Sequence, residues 1–265
     1  MKKLMFATVL PLLLSAQSAT AVETPAVEFF KPGEQEAIGK IAADYLRAHP
    51  EILIEMSEKL QHQEEQQQQK GAIEAALANQ KALLQDPSSP VVHPDGDVAL
   101  VQFFDYQCIW CSRMAPVVES LITGDAKLRV TFKEWPIFGK QWPLSTFAAR
   151  TGLSVWAAKG AAGYQQYHNT LYQTGHVEGQ LTRDDIVGAQ IAAGVDDAKL
   201  EQVPETQLSA TAELASLLGI NGTPAFIVMP VNGATAGNTS VMFGAVDAVT
   251  LQSAITKARS AGGAQ

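Results

Sequence analysis

A chain of 265 residues that is 46% hydrophobic and 17% charged has the make-up of a globular protein, long enough for one large domain or a domain with an accessory segment. Its formal net charge of −8 argues against nucleic acid as a partner, which selects basic surfaces, and no basic helix suggests membrane binding. Two cysteines are too few for a disulfide scaffold, so the pair is there to react or is incidental.

Residues 1–21 read as a secretory signal. Lys2 and Lys3 give a positive start, residues 4–14 are apolar with Pro11 among them, and Ala19-Thr20-Ala21 is an A-x-A cleavage site. The apolar run is too short to span a bilayer. The expected mature chain begins near Val22 and is exported and soluble, in the bacterial periplasm, where disulfides persist.

Residues 34–48 read as one helix, ended by His49-Pro50 because proline disfavours helix in the residue before it. Residues 51–85 read as a second, longer helix. With Leu53 and Leu60 at heptad position a, Met56, Leu77 and Leu84 fall at d, but Gln63, Gln67 and Lys70 hold core positions in a glutamine-rich run over 61–71. Asp86-Pro87-Ser88-Ser89-Pro90 makes a linker. The expectation for 22–88 is an oligomerisation stalk with a bendable connector; the plainer reading is a solvated helix docked on its own domain.

From Val91 the pattern is α/β. A short strand at Val91-Val92 and a turn at 93–97 precede a central strand at 98–104, a helix over 111–121 and a strand over 128–134. Residues 143–218 are almost wholly helical, with alanine-rich helices over 147–158 and 164–173. A capping-box start stands at Thr182 to Asp185, and further helices begin at Asp196-Asp197 and Glu205. Strand character returns at 224–229 and 240–243, and Asp247 caps a last helix running to about Arg259.

Cys108 and Cys111 sit where the central strand passes into the first helix of this domain. Residues three apart on a helical turn have Cα atoms about 5 Å apart, inside the ~4.4–6.8 Å a disulfide spans. Cys108 lies at the helix N-terminus, where open N–H groups and the helix dipole favour a thiolate. Cys111 lies one turn inside and suits the role of resolving thiol. A structural disulfide closing so short a ring would stabilise little. A structural zinc wants four ligands, and His49, His62, His93, His168 and His176 are scattered without ligand spacing. No metal or cofactor is expected.

The chain resembles the thioredoxin superfamily, and within it the DsbA-like thiol–disulfide oxidoreductases of bacterial periplasms. The likeness rests on Phe103-Phe104-Asp105-Tyr106-Gln107-Cys108 with Cys111, on Trp135-Pro136-Ile137 and on Ala148-Ala149-Arg150. Further on it rests on Gly219-Ile220-Asn221-Gly222-Thr223-Pro224-Ala225-Phe226 and on Gly244-Ala245-Val246. The added N-terminal helices resemble the stalked, oligomeric members: the suppressor-of-copper-sensitivity C (ScsC) proteins and, in function, the DsbC and DsbG isomerases.

The resemblance implies an α/β thioredoxin domain over 89–265 with a helical insertion at about 143–218, behind the oligomerisation segment. It makes Cys108 the nucleophile and Cys111 the resolving cysteine. Thr223-Pro224 becomes a cis-proline loop whose backbone pairs with an extended substrate. It also implies exported protein substrates, a membrane redox partner that reduces (DsbD-like) or oxidises (DsbB-like) the pair, and a homodimer or homotrimer through 34–86.

This sequence departs from the family pattern at tuning positions. Ile109 and Trp110 stand between the cysteines, and Trp110 cannot supply the cation that a histidine gives the strongest oxidants, so a milder oxidant is expected. Gln102, six before Cys108, replaces a buried acid and cannot take a proton from Cys111, leaving that task to Glu134 or water. Threonine before the proline resembles the isomerase and reductase members. The leading expectation is therefore a disulfide isomerase or reductase. A DsbA-type oxidase is the alternative, a copper-binding module using both sulfurs comes from another class, and a pure chaperone would survive loss of Cys108.

Overall fold

The computed structural model describes residues 31–196 and 205–262. The signal expected at 1–21, stalk residues 22–30 and all but the first residue of the helix expected from Asp196-Asp197 lie outside them. By its contacts the chain divides into two units, 1–59 and 60–265.

The first unit holds α1 (Pro32–Ala48) and the start of α2 (Glu51–Ala78). Proline suits the first helical position, where its missing N–H is no loss. Glu34 reaches back to accept from the backbone N–H of Lys31 at 2.8 Å. The helix stops at His49, ahead of Pro50. Ile38, Ile41, Tyr45, Leu53, Ile54 and Met56 are each 46–69% exposed, an apolar surface that the described residues leave uncovered.

The second unit is built on a five-stranded sheet of order β1-β3-β2-β4-β5. Its strands are β1 (Val91–Val92), β2 (Val98–Phe104), β3 (Leu128–Glu134), β4 (Ala225–Pro230) and β5 (Ser240–Phe243). β2 runs parallel to β3 and antiparallel to β4, with Leu100 opposite Val130 and Val228. Every β2 position is buried, because helices cover both faces. Side chains alternate: Val98, Leu100 and Phe104 pack with α4 (Ile109–Gly124), α5 (Pro143–Gln173) and α8 (Ala248–Gly262). Ala99, Val101 and Phe103 face α7 (Glu205–Leu217), the end of α2, and α3 (Gln80–Leu84).

That second face is partly covered by residues the sequence reading assigned to the stalk. Ala72, Ala76, Leu83 and Leu84 are 0–6% exposed in the same cluster as Val101 and Phe103. Burying each leucine contributes ~1.5–3 kcal/mol. By its contacts the second unit begins at Leu60, and residues 72–84 pack within it. The single helix expected over 51–85 breaks at Asn79, which leaves helical geometry (φ −110°, ψ 23°) while its side chain donates to the Ala75 carbonyl at 2.8 Å.

Two cations from β3 hold the expected linker and the residues that flank it. Lys133, 1% exposed, donates to Ala82 O and Ser89 Oγ at 2.7 Å and to Asp86 Oδ2 at 3.0 Å. Arg129 donates to Leu84 O and Pro94 O at 2.6 Å. Burial works against the Asp86 charge, but hydrogen bonds from Ser88 and Ser89 and the Lys133 ammonium hold its pKa at about 2. At the outer side of β5, Gln69 Nε2 donates to Val241 O at 2.6 Å.

The insertion between β3 and β4 holds α5, α6 (Arg183–Ala192) and α7. The two alanine-rich helices expected at its start meet within α5 at a kink at Gly160 (φ 64°, ψ −156°), where the backbone leaves helical geometry in a conformation open to glycine. Thr182 and Asp185 cap α6 reciprocally, as the capping pattern implied.

Candidate active site

Cys108 is the N-cap of α4, in extended conformation (φ −82°, ψ 118°), and Cys111 lies in the first turn. Both are free thiols; Cys108 is 4% exposed and Cys111 fully buried. The Thr223–Pro224 bond is cis. Cys108 Sγ donates to the Thr223 carbonyl at 3.3 Å, so residues 115 apart in sequence meet at the sulfur.

The surroundings split the two thiols. The Cys111 thiol, hydrogen-bonded to Cys108, lowers the Cys108 pKa most. Burial opposes it, and the Thr223 side chain and the N–H groups of Cys111 and Trp110 lower it further, to about 6. Burial, then the Cys108 sulfur, pushes Cys111 well above the ordinary thiol range. The Thr223 hydroxyl is buried with no hydrogen-bond partner among the described residues, and its nearness lowers the Cys108 pKa. One thiol is thus mostly ionised near neutrality and its neighbour protonated.

Ile109 is half-buried, while Trp110 is 51% exposed beside the nucleophile position, with the Arg113 guanidinium 4.5 Å from its ring centroid. Gln102 is fully buried opposite Phe132 and Phe226, with neither amide atom hydrogen-bonded. It offers no charge to accept a proton.

Other residues shape the site, and apart from Glu134 the sequence reading assigned them no role. Asp105, 1% exposed, accepts at Oδ1 from Gln107 N (2.8 Å) and at Oδ2 from Phe138 N (2.9 Å) and Ser145 Oγ (2.7 Å). Its carbonyl takes Cys108 N and the Tyr172 hydroxyl, both at 3.0 Å. Behind it Glu134 Oε1 accepts from Tyr106 (3.1 Å) and Tyr164 (2.7 Å), and burial raises the pKa of this carboxyl well above its ordinary value. A Cβ at Gly152 would stand 2.7 Å from that oxygen, so only glycine leaves it room. His168, buried among the same rings, is held neutral by desolvation, its pKa down at about 4. The available signal was the spacing of Tyr164, Tyr167, His168 and Tyr172, a helical stripe facing the core. Among the described residues no cluster of three or more His, Cys, Asp or Glu could hold a metal ion.

Residues 34–67 match the copper resistance protein ScsC N-terminal domain, and residues 99–256 the DSBA-like thioredoxin domain. Among solved structures, BcfH of Salmonella enterica Typhimurium is 39% identical with a TM-score of 0.75, over 86% of this chain and 96% of that one. A linker-deletion mutant of Proteus mirabilis ScsC is 25% identical (TM-score 0.62, 89% and 100% covered). A thioredoxin-like oxidoreductase from Silicibacter pomeroyi DSS-3 is 32% identical (TM-score 0.57, 69% and 98% covered). No curated protein matches. With more than half of the chain inside the matched domain, and the two-thiol turn within that stretch, the chain belongs to the DSBA-like thioredoxin family of thiol–disulfide oxidoreductases and carries an ScsC-type N-terminal segment.

Proposed function

We propose that the protein is a periplasmic disulfide isomerase or reductase acting on exported proteins, with Cys108 as nucleophile and Cys111 as resolving thiol. The Cys108 thiolate attacks a substrate disulfide, forming a mixed disulfide and releasing the other substrate sulfur as a thiolate. In isomerisation a second substrate thiolate attacks the substrate sulfur of the mixed disulfide, and Cys108 leaves as thiolate with no net redox change. In reduction the deprotonated Cys111 attacks Cys108 sulfur, the substrate leaves as a thiol, and the pair is oxidised; a DsbD-like membrane partner restores it.

The observation that carries the isomerase reading is the state of the resolving thiol. Cys111 is fully buried and held protonated, and Gln102 supplies no base. The mixed disulfide then lives long enough for a misplaced pairing to rearrange. The Thr223 carbonyl, 3.3 Å from the sulfur, is placed to pair with an extended substrate backbone. The exposed apolar side chains of α1 and α2 supply a surface for a homodimer or homotrimer, which would hold one substrate between several sites.

The test is recovery of activity from scrambled and from reduced ribonuclease by the full chain. Efficient unscrambling with slow oxidation is expected. Fast oxidation without unscrambling would favour the DsbA-type oxidase kept oxidised by a DsbB-like partner. A copper-handling reading draws on the description of the matched N-terminal domain. Titration of the reduced protein with Cu(I) tests it: tight one-to-one binding abolished by Cys108→Ala would support it.

A further inference from the structure

Gln107, the residue before the nucleophile, is 1% exposed and makes three hydrogen bonds to three directions. Its N–H donates to Asp105 Oδ1 at 2.8 Å. Its carbonyl accepts from Glu178 N at 2.9 Å, and its side-chain Oε1 accepts from Gly179 N at 2.8 Å, 72 residues away. Glu178 and Gly179 belong to the strap between α5 and α6, and both have positive φ (52° and 91°). Positive φ at a glutamate is strained, and strain persists where the surroundings over-determine it. Here it turns two successive N–H groups onto the two oxygens of one residue.

The contacts close into a ring. A Cβ on Gly179 would stand 2.8 Å from Trp142 Nε1, so the strap lies flat on that indole. Trp142 packs on Phe138 with ring centroids 5.2 Å apart. Phe138 N donates to Asp105 Oδ2, and Asp105 holds Gln107. Strap, Gln107, Asp105, Phe138 and Trp142 thus form one circuit around the turn that presents Cys108.

We propose that Gln107 is a positioning residue for thiol–disulfide exchange: it ties the turn carrying Cys108 to the 174–180 strap, so that the helical insertion sets how the sulfur faces the open N–H groups of α4. Those N–H groups, from Trp110 and Cys111, favour the thiolate, and hydrogen bonds to them weaken steeply as their angle falls. An N-cap free to swivel would lose that alignment even with both cysteines in place. The inference rests on Cys108 being the reactive thiol, and the experiment separates the two.

In the full-length reduced protein, thiolate absorbance is titrated and the iodoacetamide rate is measured at pH 5 for wild type, Cys108→Ala, Gln107→Met, Gly179→Ala and the double variant Gln107→Met/Gly179→Ala. Methionine keeps the length of glutamine and removes the acceptor. Gln107→Met is expected to raise the Cys108 midpoint by about half a pH unit and to slow alkylation at pH 5 about threefold, the matching loss of thiolate. Gly179→Ala, far from the sulfur in sequence, is expected to do the same, and the double variant little more than either. Thermal melting falling while midpoint and pH 5 rate stay at wild-type values, in whichever single variant folds, would reduce Gln107 to a structural tie and overturn the proposal. A wild-type midpoint near 6 that survives Cys108→Ala would instead remove the functional reading on which it stands.

Discussion

A thiol with a pKa of about 6 in the fold and about 8.5 in an unfolded chain stabilises the reduced protein above neutrality. Because the folded value is the lower one, the stabilisation is complete above about pH 8.5 and vanishes as pH falls through 6. At pH 7 it is about 1.4 kcal/mol, equivalent to about 30 mV toward a more oxidising couple. That is a modest push, in keeping with Trp110 where the strongest oxidants carry a cation. Urea unfolding of the reduced and disulfide forms should show their stability difference moving in favour of the reduced form between pH 6 and 9. Thr223→Val keeps the shape and removes the hydroxyl that lowers the Cys108 pKa, so thiolate titration should move up for this variant, by up to about one unit. Positions 108 and 111 stand out by residue type and local spacing, whereas 223 and 224 were picked out only by the family resemblance. Asp105 and Gln107 stood in the same motif, yet their partners at 138, 145, 178 and 179 exist only in the fold, so no local pattern could give them a role.

Strands were readable from apolar runs and turn residues: β2, β3 and β5 fall where alternation and burial put them. The docked end of α2 and α3 was not, because small residues do much of the covering there. Ala72 and Ala76 fit closely over the sheet, while a heptad reading looks for large side chains at a and d. Leu83→Ala should therefore cost ~2–5 kcal/mol in urea unfolding, the range for a buried leucine, though position 83 lies in the segment read as stalk. Asp86→Asn leaves the Lys133 ammonium, 1% exposed, without its counter-charge. A loss of about 3 kcal/mol is expected, and Lys133→Met in the same background should recover part of it.

For the whole molecule, the proposed assembly rests on the exposed apolar side chains of the first unit. Ile41→Glu together with Leu53→Glu should lower the mass found by light scattering to that of one chain while leaving Cys108 alkylation unchanged. Unscrambling of ribonuclease should fall with the mass if several sites must share a substrate. The contact between Gln69 and Val241 also matters to anyone who shortens the chain. A form cut within α2 beyond Gln69 keeps its redox turn but leaves the rim of the sheet bare at β5, where one chain can template the next. Such preparations should turn cloudy on standing, which light scattering would follow.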